Sequence, residues 1–93
     1  MMSSLPINLS KVKKEDVDKE IARVGMIAEL DAVSLYEQLA AFTENEGLKK
    51  VLLDIAREEK THIGEFAELL FHFDEEQVKE TENGRKEIGE LLG

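Results

Sequence analysis

The chain has 93 residues, no cysteine and a single proline; 35% of its residues are charged and its formal net charge is −9. An acidic balance of that size disfavours nucleic acid and anionic membrane as partners and favours cations, while the missing thiols exclude disulfides, thiolate zinc sites and iron–sulfur clusters. Any metal must be held by oxygen and imidazole, and a domain this short buries only about 60–65% of its unfolded surface, so association with another chain is expected.

Residues 1–13, which include Pro6, read as a flexible N-terminal tail. The tail lacks the basic start and apolar run of a signal peptide, and no later segment is long and uncharged enough to span a bilayer, so a cytoplasmic location is the default expectation. Residues 14–43 then carry an uninterrupted helical pattern, roughly 45 Å long at about 1.5 Å per residue. Glu15 and Asp16 suit the positive end of its macrodipole. Val17 and Ile21 start an amphipathic face, but from Val24 to Phe42 apolar residues cover nearly the whole circumference. Such a helix is buried on more than one side: one side suits a hairpin partner, and the other asks for a second subunit. Within it the row Ala22, Gly25, Glu29, Ala32, Tyr36, Leu39 sets a lone carboxylate among small side chains, with a phenol one heptad further on. Asp31 and Glu37 point elsewhere and read as solvated.

Asn45-Glu46-Gly47 supplies a turn in which Asn45 is a good N-cap, and a connection this short forces an antiparallel hairpin. The predicted second helix covers residues 46–71, and the hairpin unit as a whole spans residues 14–73. Steps of four and three from Leu48 give Leu48, Leu52, Ile55, Glu59, His62, Phe66, Leu69 and Phe73, a core seam that is apolar except at Glu59 and His62. Residues three apart on a helix share a face, so this Glu-x-x-His pair can aim at one atom. The opposite side, with Lys49, Lys50, Asp54, Arg57, Lys60 and Glu68, mixes signs as an exposed face does. Residues 74–93 open on Asp74-Glu75-Glu76-Gln77, a variant capping box that starts a short C-terminal helix. Asn83-Gly84 reads as its stop, with one or two further turns from Arg85 to Leu92.

A Glu-x-x-His pair alone is a weak motif in a Glu-rich chain, and its plain reading is an ion pair on a helix surface. Its place in an apolar seam favours metal binding, because a buried unpaired carboxylate is costly and needs a partner. Glu58 and Glu65 share a wetter row with Val51 and His72 and read as surface groups. Tyr36 is first a core aromatic, with a supporting role near Glu29 left open. A carboxylate-bridged di-iron site in a four-helix bundle takes one Glu from each of two helices and a Glu-x-x-His from each of the other two. This chain holds half of that set, and two copies related by a two-fold axis would supply Glu29, Glu59 and His62 twice, on four helices. Oxygen and imidazole donors of this kind suit Fe(II), Mn(II) or Zn(II), and an anionic set bridging two ions favours Fe(III), which is the basis for iron oxidation by dioxygen.

At Ala28-Glu29-Leu30-Asp31-Ala32-Val33, Tyr36 and Arg57-Glu58-Glu59-Lys60-Thr61-His62 the sequence resembles the encapsulated ferritins, half-length members of the ferritin-like superfamily. The resemblance implies an all-α fold in which the hairpin dimerises into a ferritin-like four-helix bundle, with a ferroxidase site at the subunit interface. It further implies a ring-shaped decamer of five dimers working inside an encapsulin shell or nanocompartment. On it, Glu29, Glu59 and His62 are the iron ligands, Tyr36 lies close to them, and Asp31 is near the access path. Members often carry Trp at the position of Leu35 and a further acid at that of Ala28. Cargo members end in a tail with a targeting peptide, whereas this sequence stops at Leu91-Leu92-Gly93; a fused shell domain, a removed tail and a member that needs none are the alternatives. Two other classes share the core pattern: a rubrerythrin-like peroxide reductase receiving its electrons externally, and a non-enzymatic helical assembly module with structural zinc or no metal.

Overall fold

Two side-chain caps decide where this chain turns. Asn45 adopts extended backbone, with φ −83° and ψ 113°, and its Oδ1 accepts the Leu48 N–H at 2.8 Å. Asp74, also extended, accepts the Gln77 N–H on its Oδ1 at 3.1 Å. Each satisfies a donor that the first turn of a helix would otherwise leave unpaired. Between and beyond them the computed structural model, which describes residues 8–93, places 3-10 turns at Leu9–Lys11 and Lys14–Asp16 and helices α1 (Val17–Phe42), α2 (Glu46–Phe73) and α3 (Glu75–Leu92). No strand occurs among the described residues, and the fold is all-α, as expected: a helical hairpin followed by a C-terminal helix.

The boundaries differ from the sequence pattern in ways with local causes. The tail expected over residues 1–13 lies outside the described residues for positions 1–7, and the remainder includes the Leu9–Lys11 turn, capped by Asn8 Oδ1 accepting from Ser10 N at 3.2 Å. Lys14–Asp16, expected as the start of the first helix, is a tighter 3-10 turn that feeds α1. The expected stop at Asn83-Gly84 is absent: α3 runs through it as one 18-residue helix. A glycine ends a helix by taking positive φ, and no described glycine does so. Only half of the predicted capping box forms at Asp74, since the Gln77 amide donates forward to Thr81 Oγ1 at 3.0 Å.

The hairpin closes on small residues. Ala22, Ala40 and Ala56 are 2%, 2% and 1% exposed, with Leu70 the one large buried side chain among the described residues. Alanines at the contact let the two helices approach closely, and the larger apolar side chains consequently fan outward. The stripe predicted as core is therefore half open: Leu48, Leu69 and Phe73 remain 50%, 45% and 46% exposed. The radius of gyration is 16.5 Å, against about 12 Å for a compact chain of this length. At 46 × 42 × 20 Å the molecule is a slab with more apolar surface than one chain can cover by itself.

Most tertiary packing lies between α1 and α2, and α3 touches α2 only sparsely. The start of α3 is tied to α1 by Arg23, which donates to Glu20 Oε1 at 2.7 Å and to Asp74 Oδ2 at 3.1 Å. The Asp74 carboxylate, 13% exposed, thus caps α3 with one oxygen and holds α1 with the other. No helix among the described residues is long and apolar enough to cross a membrane.

Candidate metal centre

α1 and α2 bring three ligand-bearing side chains to one point, midway along the open face of the hairpin. Glu29 comes from α1, and Glu59 and His62 come from α2, three residues apart and so on one face of that helix. His62 Nδ1 stands 3.5 Å from Glu29 Oε2 and 3.4 Å from Glu59 Oε2. One donor atom from each of the three lies within 4.8 Å of the others. These separations are long for hydrogen bonds. They suit neighbouring ligands of one cation, because donors bound at about 2.0–2.2 Å sit roughly 3–3.5 Å apart.

Burial and charge make the same case. The two carboxylates are mostly covered, with 20% and 19% of the Glu29 and Glu59 side chains exposed, whereas His62 is 46% exposed. Neither carboxylate is paired with a lysine or arginine among the described residues. Two acidic groups and an imidazole, which is uncharged in its metal-binding form, leave an excess of negative charge that a divalent cation would neutralise. The donor set is therefore a chemical fit for iron, manganese or zinc, open on the side where His62 faces out.

Apolar surface flanks the cluster along the same seam. Toward the turn, Leu39, Phe42, Thr43, Glu44, Leu48 and Leu52 line an open hollow of about 690 Å³. Toward the other end, Asp18, Ile21, Ala22, Phe66, Leu69 and Phe73 line one of about 190 Å³. Phe66 is pressed against α1 where Gly25 has no side chain: a Cβ built on Gly25 would stand 2.5 Å from Phe66 Cε1.

The remaining candidates sort by position. Tyr36 is half-buried, two turns after Glu29 on α1, and lies outside the three-residue cluster. Glu58, Glu65 and His72 are exposed on α2, as their wetter row suggested. Glu37, expected to be solvated, is 46% exposed and pairs with Lys60 across the hairpin at 3.1 Å. Sequence reasoning did not find the Gly25–Phe66 contact or the Arg23–Asp74 bridge; a register drawn from the Asn45 turn, with Phe42 level with Glu46, sets Gly25 level with Ile63, nearly a turn short of Phe66.

The sequence matches the EncFtn-like family over residues 6–83. It is 51% identical over 87 residues to a ferritin-like–encapsulin shell fusion protein of Pyrococcus furiosus, covering 94% of this chain and 25% of that protein. It is 38% identical over 72 residues to the encapsulin nanocompartment cargo protein EncC of Myxococcus xanthus, covering 74% of this chain and 55% of that one. This chain thus spans a quarter of the first relative and about half of the second. The crystal structure of the encapsulated ferritin domain from Pyrococcus furiosus superposes with a TM-score of 0.83 at 48% identity, covering 98% of this chain and 95% of that domain.

Proposed function

The chain belongs to the EncFtn-like family, and from that premise we propose that it is a ferroxidase, with Fe(II) as substrate and dioxygen as electron acceptor. The observation that carries this reading is the convergence of Glu29, Glu59 and His62, one donor atom from each within 4.8 Å of the others, on an open apolar face. Two copies meeting there about a two-fold axis supply four carboxylates and two imidazoles, the full set for two iron ions. In this assignment His62 is the nitrogen ligand, Glu59 the carboxylate best able to bridge two ions, and Glu29 the carboxylate from the other helix. Tyr36, two turns further along α1, is a phenol outside the ligand set. Four carboxylates stabilise a pair of Fe(III) ions more than a pair of Fe(II) ions, so the site favours loss of one electron from each iron.

The two apolar hollows support docking of a second copy, because burying them would close the site from both ends. Further assembly of such dimers into a ring-shaped decamer is the expectation carried by the resemblance to the encapsulated ferritins. The names of the two relatives, one fused to an encapsulin shell and one an encapsulin cargo, support a place within an encapsulin nanocompartment; iron sequestration there, in the cytoplasm, completes the proposal. Anaerobic titration with Fe(II) tests the site: saturation near one ion per chain, followed by rapid oxidation when air is admitted, is the expected result. Saturation near zero, or at several ions per chain, would sink the dinuclear reading.

A further inference from the structure

We infer that Gly25 is a positioning residue for the metal centre, acting through the ring of Phe66; the inference rests on the metal-binding reading just given. A Cβ on Gly25 would lie 2.5, 2.6 and 2.7 Å from Cε1, Cδ1 and Cζ of Phe66, closer than real side-chain atoms approach. The ring therefore occupies the space that any other residue at this position would fill. Gly25 precedes Glu29 by four residues and Phe66 follows His62 by four. In antiparallel helices those steps match, so the Gly25–Phe66 contact is the rung directly beside the one on which Glu29 meets His62 at 3.5 Å.

Packed interiors do not stretch to absorb an added methyl; a ring or a backbone shifts instead. At position 25 the shift either swings Phe66 out onto the open face or moves α2 away from α1. The second displaces the stretch of α2 that carries Glu59 and His62 relative to Glu29, and the first removes the ring that fills the rung beside His62 and spaces α2 from α1 there. The glycine is not explained by helix geometry, since it has ordinary negative φ and alanine is the better helix former. Gly64 supplies the contrast: it sits on the same pair of helices, two residues from His62, and a Cβ there would meet nothing within 4 Å.

The test is a Co(II) titration followed by its visible ligand-field absorption, with mass in solution and thermal unfolding measured on the same samples. Parent and Gly64→Ala should bind alike. Gly25→Ala should bind roughly 10–100-fold more weakly, the range seen when groups that orient metal ligands are disturbed, while its metal-free mass matches that of the metal-free parent. The double variant Gly25→Ala with Phe66→Leu, which removes ring volume as it adds the methyl, should recover most of the affinity. Phe66→Leu alone, which takes away the spacer but adds nothing, should weaken binding several-fold, and it keeps the idea testable if Gly25→Ala does not fold. Parent-like affinity in Gly25→Ala would overturn the inference, as would failure of the double variant to recover. A lower mass of metal-free Gly25→Ala than of the metal-free parent would also overturn it, by assigning the effect to contact between chains. Failure of the parent itself to bind Co(II) would instead count against the metal-binding reading.

Discussion

The two faces of α2 treat charge in opposite ways. On the far face Arg57 Nη2 pairs with Asp54 at 3.0 Å and Lys60 with Glu37 at 3.1 Å, each acid meeting a base in solvent. On the seam face Glu29 and Glu59 converge on His62 with no lysine or arginine beside them among the described residues. The far-face pairs need no further partner, because each joins opposite charges that solvent also reaches. The seam face holds an excess of negative charge framed by apolar surface, an arrangement that becomes favourable only when a cation and a covering surface arrive together. A charged face of mixed sign is thus a solubility device, whereas convergent charge of one sign within an apolar stripe marks a site.

The comparison breaks most sharply if ligand changes are harmless. Glu59→Ala, His62→Ala and Glu29→Ala should each slow Fe(II) oxidation by more than about 100-fold, the upper range for disturbing merely an outer partner of a metal ligand. Stopped-flow absorbance in air would measure it, with the exposed variants Glu58→Ala and His72→Ala oxidising iron like the parent. A parent rate in Glu59→Ala together with loss in Glu58→Ala would shift the helical phase by one residue and move the site to the outer face. None of the three ligand changes should unfold the chain. Removing a carboxylate relieves repulsion and leaves a small void, effects of opposite sign and each on the order of 1–3 kcal/mol.

Metal itself should sharpen the contrast. If facing carboxylates repel in the empty site, Zn(II) or anaerobic Fe(II) should raise the associated fraction in sedimentation, and a concentration of about 100 times Kd should stabilise the folded form by about 2.7 kcal/mol. Equal mass distributions with a saturating ion and with chelator would end the coupling. The helix boundaries come next. Asp74→Ala loses both the cap on α3 and the Arg23 bridge, and should cost more than Asn45→Ala, whose cap alone contributes about 1 kcal/mol. Thermal unfolding of the two variants side by side decides the order. The smallest effect belongs to the far face: Lys60→Ala breaks a pair whose side chains are 60% and 46% exposed. Double-mutant cycles with Glu37→Ala should return less than about 1 kcal/mol, and Fe(II) oxidation should be unchanged.

The hairpin and the candidate donor cluster were legible in the residues because both are written in short-range terms. Asn45 and Asp74 announce caps through side-chain chemistry that acts within three residues. The Glu59 and His62 spacing is a property of a single helix, and Glu29 stands out because a carboxylate is rare in an apolar row. The run of α3 through Asn83-Gly84 was not legible, since glycine permits a stop without requiring one and the residues on either side are good helix formers.

Sequence by itself determined that the chain makes long helices, where the hairpin turns, and which side chains could offer donor atoms to a metal. Periodicity, capping and donor type depend only on neighbours along the chain. Tertiary structure alone decided the register in which α1 lies against α2, and with it the meeting of Glu29 with His62 and of Gly25 with Phe66. It also decided that the predicted core seam is an open face, because the helices close on Ala22, Ala40 and Ala56 and turn their larger side chains outward. Those outcomes follow from which surfaces of two helices fit closest, and that fit joins residues as far apart as Arg23 and Asp74.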